Sequence, residues 1–273
     1  MNVLGFRSFW DLLPIAWQMN RETEAIMEKI AEAGFDGIEF IPPQNPKDDA
    51  VFAKKLENLG LQFIGQISTQ APDHAGSFRE KIARLRDLNP VMIVSHSAKD
   101  SMAFDQQCAF FEEALAVEQA IQIPVAHETH RGRAMFVPWT TAALLRKFPE
   151  LHINADFSHW MVVCEGMPLE PDEDMQLAIS RAIHIHGRVG YPEGPQVPDP
   201  RDPYYEPYVK QHLQWWTMIA QERRDAGHTQ FTFTPEFGPS PYLQTQPYTN
   251  MPVADTWDIN AWMFRTFKES LMK

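Results

Sequence analysis

Cysteine is scarce in this 273-residue chain, which has only Cys108 and Cys164. They stand far apart and in no metal-type spacing. That excludes a disulfide framework and a cysteine-based metal centre, and it suits free thiols in a reducing compartment. No run of about 18 apolar residues is present, so a transmembrane helix is not expected. The apolar N-terminal stretch MNVLGFRSFWDLLPIAW is broken by Arg7 and Asp11, which spoils it as a secretory signal and leaves the cytoplasm as the expected location. Positive charge is also in short supply, with 24 Lys+Arg against 36 Asp+Glu and a net charge of −12. A general affinity for nucleic acid, which needs lysines and arginines to displace counterions, is therefore not expected, although a local basic pocket could hold a small anion. Finally, no Gly-rich turn follows the first apolar run, which argues against a doubly wound dinucleotide-binding sheet.

What is present is a globular composition, 44% hydrophobic and 22% charged, arranged as an alternation. Short β-rich apolar runs at 2–7, 37–41, 62–67, 91–95, 124–128, 152–156, 182–187 and 230–236 read as strands. Several are almost continuously apolar, as expected for strands buried on both faces. Between them, segments of helical period fall at 21–33, 47–59, 78–88, 104–120, 140–147, 170–181, 208–226 and 256–271. Gly34 and Gly60 stand where the first two helices should stop. Eight such units predict an α/β fold, a single (β/α)8 TIM barrel over residues 1–273, with no interdomain linker. The segment 187–207 carries six prolines and three glycines. It is far longer than an ordinary βα connection of about 2–6 residues, and is expected to cover or complete an active site.

Active sites of such barrels lie at the C-terminal ends of the strands. The fifth strand ends at Glu128, the sixth at Asp156 in NADFSHW, the seventh reads IHIHGR around His186, and the eighth ends at Glu236 in FTFTPEFG. Three carboxylates converging at buried strand ends would lose hydration and repel one another, and a divalent cation relieves both costs. Two Glu, one Asp and one His form a mixed oxygen and nitrogen donor set that suits Mn²⁺, Mg²⁺, Co²⁺ or Zn²⁺, with Mn²⁺ favoured.

With GFDGIEF at 34–40, the Glu128 strand end, DFSH at 156–159, HIH at 184–186 and PEFG at 235–238, the chain resembles the xylose isomerase-like TIM-barrel superfamily of sugar phosphate isomerases and epimerases. The resemblance covers essentially the whole chain, and the ordered Glu, Asp-x-x-His, His, Glu set is its most specific part. It implies one divalent ion on Glu128, Asp156, His186 and Glu236, with His186 rather than His184 as the imidazole ligand. It also implies that Glu128 and Glu236 shuttle the substrate proton and that His159 contacts a substrate oxygen.

Other residues are expected around the same mouth. Arg188, His96, His130, Trp160 and Glu39 are candidate substrate contacts, with Arg7, Arg131, Arg133 and Trp10 nearby. His127 alternates away from Glu128 and reads as structural. The expected activity is metal-dependent isomerisation or epimerisation of a small sugar or polyhydroxy carbonyl compound through an enediolate. The alternatives are a lyase on the same scaffold, by inosose-type dehydration or elimination, and a non-catalytic sugar-binding barrel. A nuclease with a trinuclear cluster is disfavoured by the charge and by a single evident ligand set. A homo-oligomer is compatible with the sequence but not specified by it.

Overall fold

The computed structural model describes residues 1–272. Eight parallel strands close into a barrel in chain order, the last pairing with the first. They are β1 (Asn2–Ser8), β2 (Gly37–Phe40), β3 (Gln62–Ser68), β4 (Met92–His96), β5 (Val125–Glu128), β6 (Ile153–Ala155), β7 (Ala182–Gly187) and β8 (Gln230–Pro235). Each expected strand is present within one or two residues of its predicted bounds.

The helices are α1 (Arg21–Glu32), α2 (Asp49–Leu59), α3 (His74–Arg86), α4 (Phe104–Ile121), α5 (Pro138–Lys147), α6 (Phe157–Val163), α7 (Glu173–Arg181), α8 (Glu206–Asp225) and α9 (Thr256–Ser270). Three departures from the expected bounds have local causes. Helix α3 begins four residues before the expected 78 because the Asp73 carboxylate caps it, accepting from the Gly76 amide at 2.8 Å. Helix α7 begins at Glu173, not 170, because Asp172 caps it by accepting from the Met175 amide at 2.9 Å. Helix α6 was not expected at all. It follows β6 at once, and Asp156 caps it through the Ser158 amide at 3.1 Å.

Strand alternation divides the apolar side chains into two bodies. Leu4 and Phe6 of β1 join Ile64, Met92, Val94 and Ala126 in a small cluster of their own, which plugs the lower barrel. Val3, Ile38, Phe63, Ile93, Ile153 and Phe233 face the helices in the larger core. Gly37 is required by this plug, since a Cβ there would lie 2.4 Å from the Phe6 ring and 2.6 Å from the Gln62 carbonyl. Above the plug the interior turns polar, with Glu39, Glu128, Asp156, His184 and His186 all buried.

The proline-rich segment takes only part of the role expected of it. Only Arg188 from 187–207 lines the cavity at the barrel mouth. The rest folds down: Val189 and Val197 enter the core, and the Gly190 amide donates to His212 Nε2 at 3.3 Å. Gln196 grips the segment after β8, its Nε2 donating to the Gly238 carbonyl at 3.1 Å and its Oε1 accepting from the Gly238 amide at 2.8 Å. This segment is therefore a buttress for residues 236–255, the long connection between β8 and α9, and it is that connection which supplies a wall of the cavity.

Candidate metal centre and active-site cavity

Glu128 ends β5, Asp156 follows β6, His186 is the penultimate residue of β7 and Glu236 follows β8. The strand register brings them to one level, and one potential ligand atom from each lies within 4.8 Å of the others. Glu128 is 2% exposed, Asp156 and His186 are fully buried, and Glu236 is 6% exposed.

The imidazole of His186 is oriented from behind. Its Nε2 donates to Glu39 Oε1 at 2.7 Å. Its Nδ1 lies 3.0 Å from Glu236 Oε2 and 3.4 Å from Glu128 Oε2, yet it is aligned for a hydrogen bond with neither. Glu128 Oε2 is likewise a buried atom without an aligned donor, although His96 Nε2 approaches to 2.7 Å. Burial opposes charge on His186, but Glu236, Glu39 and Glu128 together hold its pKa well above the ordinary imidazole value. Burial, with Glu128 and Glu236 alongside, pushes Asp156 up to about 6 despite its contact with Arg188. The cluster thus sets three carboxylates against the guanidinium of Arg188 and a proton held on His186, and remains net negative. A divalent ion among these oxygen and nitrogen donors matches both the charge and the chemistry of the set.

Two further groups of potential ligand atoms come equally close, where the sequence reading found a single set. The first, Glu39, His184 and His186, is already consumed internally. Glu39 accepts from His186, from His184 Nε2 at 3.0 Å and from Thr234 Oγ1 at 2.5 Å. Burial raises its pKa, but the two histidines outweigh that and hold it far below the usual carboxylate range. The second, His96, Glu128 and His130, shares Glu128 with the quartet and lines the cavity. Burial, against the pull of Glu128, holds His130 down at about 3, so it is neutral.

The cavity above the quartet has a volume of about 640 Å³. Glu128, Glu236, His96, His130 and Arg188 form its inner end, with Trp10 and Tyr242 as aromatic walls. Arg188 is fixed on all sides. It contacts Asp156, lies 3.5 Å from Glu236, and donates to Ser158 Oγ at 3.0 Å and to His159 Nε2 at 2.8 Å. Its guanidinium sits 4.9 Å from the centre of the Tyr242 ring and 5.5 Å from that of Trp10.

The profile of the xylose isomerase-like TIM-barrel family matches residues 27–202. The chain belongs to that family. Solved structures with the same barrel extend the likeness over the whole chain. A D-tagatose 3-epimerase-like protein aligns over 100% of this chain and 98% of its own, at 14% identity and a TM-score of 0.63. A xylose isomerase-like TIM barrel protein from Mycobacterium smegmatis, solved in complex with magnesium, aligns over 97% of each chain at 12% identity and a TM-score of 0.63. The probable 3-DHS dehydratase AsbF from Bacillus anthracis aligns over 98% of this chain and 99% of its own, at 15% identity and a TM-score of 0.59. At these identities the likeness is one of fold. No curated protein matches the chain.

Several expected contacts of this xylose isomerase-like barrel stand elsewhere. Trp160 does not line the cavity: it is fully buried, and its Nε1 donates to the Met135 carbonyl at 3.1 Å. Helix α6 turns that face toward the outer core, where Phe157 stacks on it at 4.8 Å. Glu39 also lies off the cavity, one layer below, because the register of β2 places it against His184 and His186. His159 is fully buried behind Arg188 and packs 4.0 Å from the His130 ring and 6.3 Å from that of Tyr242, so it meets the cavity through these three neighbours. Arg7 pairs with Asp11 at 2.6 Å away from the mouth. His127 is tied to Ser97 Oγ at 2.7 Å and Glu118 at 2.9 Å behind the sheet, as its alternation predicts.

Tyr242, Gln66, Ser68 and Lys81 line the cavity and were not anticipated. For Gln66 and Ser68 a signal existed: they alternate with the outward Ile67 on β3, on the face that carries Ile64 into the barrel. For Tyr242, which lies in an irregular connection, no periodicity applies.

Proposed function

We propose that this chain is a divalent-metal-dependent isomerase or epimerase of a small sugar or related polyhydroxy carbonyl compound. The observation that carries the reading is the quartet of Glu128, Asp156, His186 and Glu236, buried around uncompensated negative charge at the floor of a cavity. These four residues would hold the ion. Mn²⁺ is favoured, and Mg²⁺, Co²⁺ and Zn²⁺ suit the same donors. Bound there, the ion would polarise a substrate carbonyl and acidify the neighbouring C–H.

The chain's own groups then divide the work. Glu128 and Glu236 carry the proton, one removing it from carbon and the other returning it. Return to the opposite face inverts the centre, and return to the adjacent carbon exchanges aldose for ketose. Arg188 and His130 face the negative charge that develops on the enediolate oxygens. Trp10 and Tyr242 offer flat apolar walls to the carbon skeleton and limit the entry of water. Loss of a β-hydroxyl from the same enediolate would make the enzyme a lyase, so product analysis belongs to the test.

Elemental analysis of purified protein is expected to find about one divalent ion per chain, and to find it lost in His186→Ala. A panel of ketoses, aldoses and inososes in D₂O is then expected to show deuterium incorporation at carbon for at least one member. A wild-type protein that holds no metal and gains no thermal stability from any divalent ion would refute the reading.

Glu39 has a testable part in the same site. It does not line the cavity, but it fixes the His186 ring through Nε2. Glu39→Gln is expected to weaken metal affinity about 10–100-fold, the usual cost of losing an outer-shell partner of a histidine ligand. Competition with a chelator of known affinity measures it; unchanged affinity would assign Glu39 to stability alone.

A further inference from the structure

The cavity extends well beyond the quartet. From the inner end it runs past Gln66 and Ser68 to Gln70, Lys81 and Arg84, on β3, on the connection after it and on α3. The two cations there are not equivalent. Arg84 is neutralised, its Nε and Nη2 meeting the two oxygens of Asp49 at 3.2 and 2.8 Å, and Nη2 also donating to the Pro43 carbonyl at 2.5 Å. Lys81 has no carboxylate within salt-bridge distance among the described residues, and its one hydrogen bond goes to the Ser68 carbonyl at 2.6 Å. An ammonium has three donors, so two are left for a ligand. Burial pushes its pKa down, as befits a charge held without a counterion.

Lys81 is also close to the chemistry. The Ser68 hydroxyl contacts His96 Nδ1 at 3.1 Å, and His96 Nε2 lies 2.7 Å from Glu128. One serine and one imidazole therefore separate the ammonium from the quartet. The remaining basic groups offer nothing comparable. Arg188 is neutralised by Asp156 and Glu236, Arg133 donates to the Thr69 and Ala98 carbonyls off the cavity wall, and Arg131 does not line the cavity, its guanidinium lying 5.0 Å from the centre of the Tyr242 ring.

We propose that the substrate bears an anionic group, a phosphate or a carboxylate, at the end remote from its reacting carbons, and that Lys81 binds it. The assignment of the reacting end rests on the isomerase or epimerase reading, while the anion subsite stands on the cavity and its unpaired cation.

The test compares three six-carbon ketoses that differ at the terminal carbon: D-fructose, D-fructose 6-phosphate and D-fructuronate. Each is titrated calorimetrically into the protein with Mn²⁺ and after chelation. At least one anionic ketose is expected to bind about tenfold to a hundredfold more tightly than D-fructose, the usual range for a charge-assisted contact. Lys81→Ala is expected to abolish that ratio and Lys81→Arg to keep most of it. Lys81→Gln, which can still donate to the Ser68 carbonyl, reads the same loss should the alanine variant fail to fold. The phosphate and carboxylate arms identify which anion is taken. Equal binding of the three ketoses, no binding by any, or a ratio that survives Lys81→Ala and Lys81→Gln would overturn the proposal. An anion preference in chelated protein would persist through a failure of the metal reading. Metal-dependent C–H exchange without an anion preference would overturn the subsite alone.

Discussion

Glu236→Gln is expected to lower C–H exchange by at least about 10²–10⁴-fold, the range attributed to a positioned acid or base. The substitution keeps the shape of the side chain and one oxygen donor, but removes the charge and the basic oxygen. Glu236 is suited to the role because it is the member of the quartet least closed in, 6% exposed on the cavity wall, with His186 Nδ1 3.0 Å and Arg188 Nη1 3.5 Å from its Oε2. Glu128→Gln should cost a similar factor, since that carboxylate lines the cavity beside His96, whose Nε2 stands 2.7 Å from it. Single-turnover exchange in D₂O, with metal content measured on the same samples, separates lost proton transfer from lost metal. Exchange within tenfold of wild type in metal-loaded Glu236→Gln would remove this residue from the proton path.

Arg188→Met should produce the largest change in stability. The guanidinium is buried and is, among the described residues, the one cation that touches both Asp156 and Glu236. Methionine fills much of the volume between Trp10 and Tyr242 but leaves two buried carboxylates without it. Breaking a buried ion pair from one side costs about 3–5 kcal/mol. Urea unfolding of chelated protein measures the loss, and saturating Mn²⁺ is expected to recover part of it by supplying positive charge to the same oxygens. A loss below about 1 kcal/mol in the chelated protein, in the range of an exposed pair, would show that Arg188 does not compensate the cluster.

The barrel and the quartet were legible because each rests on a repeated signal. Apolar runs of strand length recur eight times, and four consecutive runs end in Glu, Asp, His or Glu. What period and spacing do not encode is depth and the choice of neighbour. Glu39 sits on an inward-facing position of β2, but only the stagger of the barrel drops it below the cavity and onto His184 and His186. Trp160 and His159 follow Asp156 within one helix that the sequence pattern did not reveal, and packing turned both away from the mouth. The proline-rich segment was conspicuous for its composition, yet the cavity wall comes from the plainer connection it supports. Lys81 lies on a helix of ordinary amphipathic pattern, and its place in the proposal comes from having no carboxylate partner among the described residues, which no linear pattern records.

The grip of Gln196 on Gly238 separates two inheritances. Trp10 packs so closely on Gly238 that any Cβ there would lie 2.1 Å from its ring, and Tyr242 follows four residues later. The aromatic walls of the cavity are thus held by two irregular segments leaning on one another, while the quartet is held by strand ends. Changes in the segments 187–207 and 237–255 could therefore reshape the cavity without disturbing the four strand ends. On the proposed reading, barrels of this build could take different molecules through one first chemical step.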